Sequence, residues 1–205
     1  STFLPDEPTS VARVGTNLYI GMGDAGLGRL SLLTPALFDN TPEKIDINEG
    51  NSTSITDLVR LPLQLIALSG QDEILFFNVD GDDISFSDRV SLRNPVSKLH
   101  VLNDGLYASD ENGVLYQVRS TGQTLVVADM TRPISHIKSW NNYFIVRTEN
   151  GLLYSISQTG EIADLRTDRQ AGNYFTISQN NLWVSNYAEV ARNTFRSSSA
   201  NNRIA

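Results

Sequence analysis

The 205-residue chain contains no cysteine. Disulfide staples, a thiolate nucleophile and cysteine-ligated zinc are therefore excluded, while the redox compartment stays open. Histidine is nearly absent too, with His100 and His136 alone, and lysine is confined to Lys44, Lys98 and Lys138. The net charge is -7 and no Lys/Arg stripe relieves it. That balance argues against nucleic acid, which wants a basic face. No apolar run approaches the roughly 18 residues of a membrane span, so no membrane insertion is expected. No signal-peptide pattern opens the chain, and with Ser1 in place of Met it reads as a processed form or an excised segment. A long amphipathic helix is also lacking. The nearest candidate, Ser31 to Asp39, is interrupted by Pro35. With 40% hydrophobic and 19% charged residues and no low-complexity tract, the chain is nonetheless a folding one.

What it does have is a repeat. Gly105 to Val118 and Tyr143 to Ile156 say nearly the same thing: an apolar run, an acidic or amide turn ending in Gly, and a second apolar run. This is how a two-stranded hairpin looks in sequence. With Gly113 as anchor, equivalents fall at Gly151 and Glu189, each a step of 38, and backwards at Glu73 (40) and Gly26 (47). Five copies result. The residues fourteen before the anchor are Ala12, Val59, Leu99, Ile137 and Phe175, and those seven before it are Tyr19, Ile66, Leu106, Phe144 and Leu182. Both columns are apolar throughout and ask for burial. Further turns at Ser120 to Gln123 and Gln158 to Glu161, with apolar stretches on either side, bring each copy to four short strands.

Four strands in about 40 residues is the spacing of a propeller blade. One such sheet cannot bury both its apolar faces, so stacking on neighbours has to supply the core. The expected fold is all-β, a single β-propeller domain of about five four-stranded antiparallel blades at 11–50, 55–95, 96–133, 134–170 and 171–205, with residues 1–4 completing the last. An open segment of a larger propeller is the rival architecture.

The lines Asn112 to Gly122 and Asn150 to Gly160 follow the pattern NG-x-LY-x-[IV]-x-x-TG. They resemble the blade repeat of quinoprotein-like propellers, and Leu18 to Leu33 resembles the repeats of bacterial surface propellers. Leu125 and Ile162 stand near where that repeat usually carries a Trp. The resemblance implies a non-catalytic scaffold or binding module. It implies no quinone cofactor, because the members that bind one use larger rings. A composition rich in Asn, Ser and Thr and poor in Lys leans towards a secreted or extracytoplasmic bacterial protein.

Several constellations carry possible chemistry. Gly21 to Gly26 fits G-x-G-x-x-G after a strand-like run, the pattern of a dinucleotide fold, but the repeat assigns the same columns to hairpin turns. Asp80, Asp82, Asp83 and Asp88 have the oxygen density of a calcium loop without the Glu at its twelfth position, and Asp-Gly is also favoured at plain turns. Calcium is the one cofactor these residues would hold. His100 and His136 lack an acidic or thiolate neighbour in sequence and read as wall or core residues.

The main candidate site comes from the repeat itself. Loops between second and third strands emerge on one propeller face, and here they bring Asp24, Asp72, Glu73, Asp110, Glu111, Glu149 and Glu189, with the amides Asn112 and Asn150. Exposed turns favour such residues anyway. As a site, this rim would take a basic protein segment, a cation or sugar hydroxyls. Trp183, Tyr187 and Trp140 are the aromatics that would favour sugar. The function expected is a non-catalytic binding or scaffold domain recognising a protein or glycan partner through one loop face. A five-bladed carbohydrate enzyme would need paired channel carboxylates, and the inner strands offer Asp57 alone. A repeat lectin would need the same side chains in every copy, and the loops differ.

Overall fold

A computed structural model describes residues 6–33, 41–47, 53–165, 174–178, 181–185 and 190–194. Every regular element among them is a strand, and the strands assemble in chain order into antiparallel meanders. The first sheet comprises β1 (Ser10–Val14), β2 (Asn17–Gly21), β3 (Leu27–Ser31) and β4 (Glu43–Ile45). The second comprises β5 (Ile55–Leu61), β6 (Gln64–Ser69), β7 (Glu73–Asp80) and β8 (Asp83–Ser91). The third comprises β9 (Lys98–Leu102), β10 (Gly105–Ser109), β11 (Val114–Val118) and β12 (Thr124–Asp129). The fourth comprises β13 (Ile134–Trp140), β14 (Tyr143–Thr148), β15 (Leu153–Ser157) and β16 (Ile162–Asp164). The fifth shows three strands, β17 (Tyr174–Ser178), β18 (Asn181–Ser185) and β19 (Val190–Thr194).

The fold is thus the all-β propeller type, with four four-stranded blades and a three-stranded fifth sheet. Residues 1–4, expected to complete the last blade, lie outside the described residues, as does most of the Ser31 to Asp39 stretch. The chain divides into two compact units, residues 1–108 with 118–124 and residues 109–117 with 125–205, so the division runs through the third sheet.

Turn chemistry sets the register. The first and second strands of the four four-stranded sheets are joined through two-residue turns at Gly15-Thr16, Pro62-Leu63, Asn103-Asp104 and Asn141-Asn142. Asn103 and Asp104 both have positive φ, 49° and 61°, as a turn matched to strand twist requires, and amide and carboxylate side chains tolerate it. The second turns of the first, third and fourth sheets hold the repeat's glycine. Gly26, Gly113 and Gly151 sit at φ 89°, 92° and 86°, each donating its N–H to the carbonyl three residues before. The G-x-G-x-x-G run is accordingly the β2–β3 turn, and no helix follows it.

Burial corrects the alignment of the second copy by one residue. Leu58 is buried and Val59 only partly so, whereas Ala12, Leu99, Ile137 and Phe175 are all buried. Glu73 begins β7 paired with Ser69, so Asp72 and not Glu73 occupies the turn place of Gly113. The cause is a step one residue longer between the second and third copies, which the absence of glycine at Asp72, the last place of the turn Gly70-Gln71-Asp72, conceals.

The core lies between sheets. In the first unit Ala12, Val14, Tyr19 and Leu27 of the first sheet pack with Ile55, Leu58, Leu65, Leu75 and Phe77 of the second. In the second unit Ile145, Leu153 and Leu165 pack with Phe175 and Leu182. Inner strands lie side by side, β1 against β5 and β5 against β9 in the first unit, and β13 against β17 in the second. Fully burying one such side chain stabilises by roughly 1.5–3 kcal/mol.

Candidate functional site

The second turns are rigid because their backbones dock on the segments that connect sheets. In the first unit, Ile55 donates its N–H to Gly23 O (2.9 Å), Leu92 to Asp72 O (2.6 Å) and Val96 to Gln71 O (2.6 Å). In the second unit, Met130 donates to Gly113 O (3.1 Å) and Glu149 to Pro133 O (3.0 Å). At Gly113 the approach is so close that a Cβ would lie 1.8 Å from Arg132 O. With the backbones fixed this way, the side chains at the turn tips are presented from a stiff frame.

The sequence-derived rim residues divide into two kinds. Asp24, Asp72, Glu111, Asn112, Glu149 and Asn150 are exposed at the tips. Asp110 and Glu73 are not free for a ligand. Asp110 is half-buried, and its carboxylate accepts the N–H groups of Asn112 (3.0 Å) and Val114 (2.8 Å) and the Tyr116 hydroxyl (3.1 Å), which builds the turn from inside. Burial, together with that carboxylate, raises the Tyr116 phenol above its ordinary 10.0. Glu73 is half-buried in β7 and pairs with Arg89 at 3.5 Å. The amide oxygen of Asn150 accepts the Thr148 hydroxyl at 2.6 Å, again closing its own turn. Glu189 and Tyr187 lie outside the described residues.

Trp140 and Trp183 do not join the tips. Trp183 sits mid-strand in β18, opposite Thr176 and Arg192. Trp140 ends β13 beside Tyr143, with ring centroids 6.2 Å apart, at the end of its sheet away from the Glu149 turn. His136 lies edge-on to Phe175 at 4.9 Å, a packing role.

The four aspartates read as a possible calcium loop are drawn apart by other partners. Asp80 and Asp83 pair across the tight β7–β8 turn, whose Gly81 has φ 60°. The Asp82 carboxylate accepts the Thr16 hydroxyl and, at 3.1 Å, the Thr16 N–H, and these bonds hold its carboxyl below its ordinary 3.8. Its backbone carbonyl also accepts Asn17 Nδ2 (2.9 Å) and the Tyr19 hydroxyl (3.1 Å). Asp83 accepts from Arg29 (2.8 Å), whose other donors reach Glu43. Asp88 accepts its neighbour's N–H, from Arg89. Among the described residues no group of three or more histidines or carboxylates converges as a metal site.

What Asp82 and Asp83 do is lock the β7–β8 hairpin onto the first sheet. A polar cleft of about 450 Å³ borders that lock, lined by Thr16, Asn17, Arg29, Glu43, Asp82 and Asp83 among others. Sequence reasoning missed it because its halves are some 65 residues apart, and Gly15 gave the one local signal. A Cβ there would lie 1.7 Å from Asp82 Oδ1, so the glycine is required by contact as well as by its φ of 53°.

On the inner strands, Asp57 is the acid that an enzyme reading would need in the channel. Its carboxylate accepts the N–H groups of Leu58 (2.9 Å) and Leu99 (2.8 Å), and burial pushes it above its ordinary 3.8. One oxygen accepts from the next residue of β5 and the other joins β5 to β9.

No family model matches the sequence, and no curated protein matches it. Solved structures do. BamB from Moraxella catarrhalis is 17% identical with a TM-score of 0.58, over 94% of this chain and 61% of BamB, so the chain spans about three fifths of that protein's length. YCF48 bound to D1 peptide is 10% identical with a TM-score of 0.63, over 98% and 69%. PorZ, a bacterial surface component of the type-IX secretion system of Porphyromonas gingivalis, is 14% identical with a TM-score of 0.54, over 95% and 25%. At these identities the likeness is one of fold, and it agrees with the succession of antiparallel blades.

Proposed function

We propose that this chain is a non-catalytic propeller domain that recognises a protein partner through its second-turn loops. The observation that carries the reading is the division of labour at those loops. Asp110 and Asn150 build the turns, connector hydrogen bonds stiffen them, and Asp24, Asp72, Glu111 and Glu149 present exposed side chains at the turn tips. Exposed carboxylates on a rigid frame select basic segments and speed their encounter, while contributing little to folding. The peptide in the YCF48 complex supports a peptide-sized ligand for the fold. The surface location of PorZ supports an extracytoplasmic setting.

The non-catalytic reading rests on Asp57, since a glycosidase needs two free carboxylates facing one another. Protein is favoured over glycan because Trp140 and Trp183 stand away from the turn tips. The test is a parallel screen of the full chain on arrays of Lys/Arg-rich peptides, sequence-scrambled acidic peptides and glycans. Selective capture of basic peptides, weakened by added salt, is the expected result. Capture of glycans alone would overturn the reading.

A further inference from the structure

Among the described residues, the outer strands of the four-stranded sheets are short except one. β4 and β16 have three residues each and β12 six, whereas β8 has nine. β8 is the outermost strand of its sheet, and no described strand pairs with its far side. Seven of its residues are exposed and only Ile84 and Val90 are partly covered. Every second residue of such a strand turns its N–H and C=O outward, a template for another strand. From the Asp80–Asp83 pair inward, the outward-facing residues before the bulge are Ile84 and Phe86.

Its ends are differently occupied. Near the C-terminal end the turn of the third sheet presses in, since a Cβ on Gly122 would lie 2.3 Å from Val90 Cγ1 and 2.5 Å from Ser91 O. The open stretch is therefore Asp83 to Asp88, with a register shift opposite Phe76 and Phe77 marking a bulge at Ser87. Phe86 offers an apolar contact there, 44% exposed and edge-on to Phe77. Asp80 and Asp88 flank it with exposed carboxylates. Charge decides the occupant. A second copy would set two acidic edges together in a chain of net charge -7, while a cationic strand would complement them.

We propose that the outer edge of β8 from Asp83 to Asp88 is a second docking surface, taking an extended peptide with basic side chains as an added strand. Recognition is by main-chain hydrogen bonds, with Phe86 and the flanking aspartates choosing the side chains. This surface is separate from the second-turn loops.

The probe is a synthetic nonapeptide alternating Lys, Val and Thr, with two partners N-methylated at alternate residues, one set for each peptide edge. Against the full chain, methylation of one set should weaken binding about tenfold or more and methylation of the other should not. The chain has no cysteine. Ser85→Cys should therefore cross-link to a central cysteine in the peptide, and Val126→Cys on β12 should not. Because the second-turn loops are themselves proposed to take basic segments, the comparison is repeated in a variant with Asp24, Asp72, Glu111 and Glu149 changed to amides, where the difference between the two methylated peptides should persist. Equal binding of both methylated peptides, or equal cross-linking from Val126→Cys, would overturn the proposal. So would a wild-type dimer in sedimentation that Phe86→Pro dissolves, since the edge would then belong to a second copy.

Discussion

The carboxylate of Asp57 accepts the backbone N–H of Leu99 at 2.8 Å, tying the inner strand of the second sheet to that of the third across 42 residues of sequence. Asp57→Ala leaves that N–H without its acceptor and should cost about 1–3 kcal/mol in urea unfolding. The acid's titration adds a signature. Burial raises its folded pKa above the unfolded 3.8, against the pull of the two N–H groups and of Lys98. The native state therefore binds this proton more tightly than the unfolded one. Its contribution is whole below the unfolded pKa and is lost as pH rises through the folded pKa. Asp57→Asn removes that dependence, so wild-type stability should decline relative to the variant as pH rises from about 3 and level off above the folded pKa. Parallel curves across that window would contradict the assignment.

Gly113 and Gly81 make a matched pair. Both have positive φ, but a Cβ on Gly81 meets nothing within 4 Å whereas one on Gly113 meets the backbone of Arg132. Gly81→Ala should cost about 1–2 kcal/mol, the strain of a left-handed L-residue. Gly113→Ala should cost clearly more, because backbone has to move. Equal losses by denaturant titration would mean that the turn does not dock on the connector.

The one-residue shift in the second copy can be checked directly. Leu58→Ala should cost about 2–5 kcal/mol, in line with core truncations. Val59→Ala, at a half-covered position, should cost markedly less. The opposite order would restore the alignment read from sequence spacing.

Asp82 is held below its ordinary pKa by Thr16. A depressed folded pKa gives stability that is present above the unfolded 3.8 and is lost as pH falls through the folded value. Asp82→Ala should therefore speed hydrogen exchange at the Thr16 amide at neutral pH, and the difference from wild type should vanish in acid. Exchange unchanged at pH 7 would mean that the hairpin tip is not anchored there.

How much of this was legible in the sequence follows from the range of the interactions. The hairpins were, because their signals are local: Gly113 and Gly151 need positive φ, and the apolar runs beside them have strand spacing. So was the succession of blades, because the repeat carries it. The second copy slipped by one because Glu73, lacking the glycine, was placed in a turn that Asp72 fills. Spacing puts Asp110 on the rim, although the same carboxylate, two residues before its Asn112 N–H partner, is what makes the turn. Its sequence neighbours make Asp82 look like a calcium ligand, while its partners Thr16, Asn17 and Tyr19 belong to the first sheet and the turn within it. No local motif announces a contact of that length. Nor does sequence say that Asp57 has spent both oxygens on backbone.

The measurement that bears most directly on the central claim is the affinity of an array-selected basic peptide for the Asp24→Asn, Asp72→Asn, Glu111→Gln, Glu149→Gln variant, with thermal unfolding of the same sample. Each change removes an exposed charge and leaves the turn-building Asp110 and Asn150 in place. Affinity should fall by about tenfold or more, with the melting temperature within a few degrees of wild type because exposed charges stabilise little. Wild-type affinity in a folded variant would contradict the account and take the binding surface away from these loops.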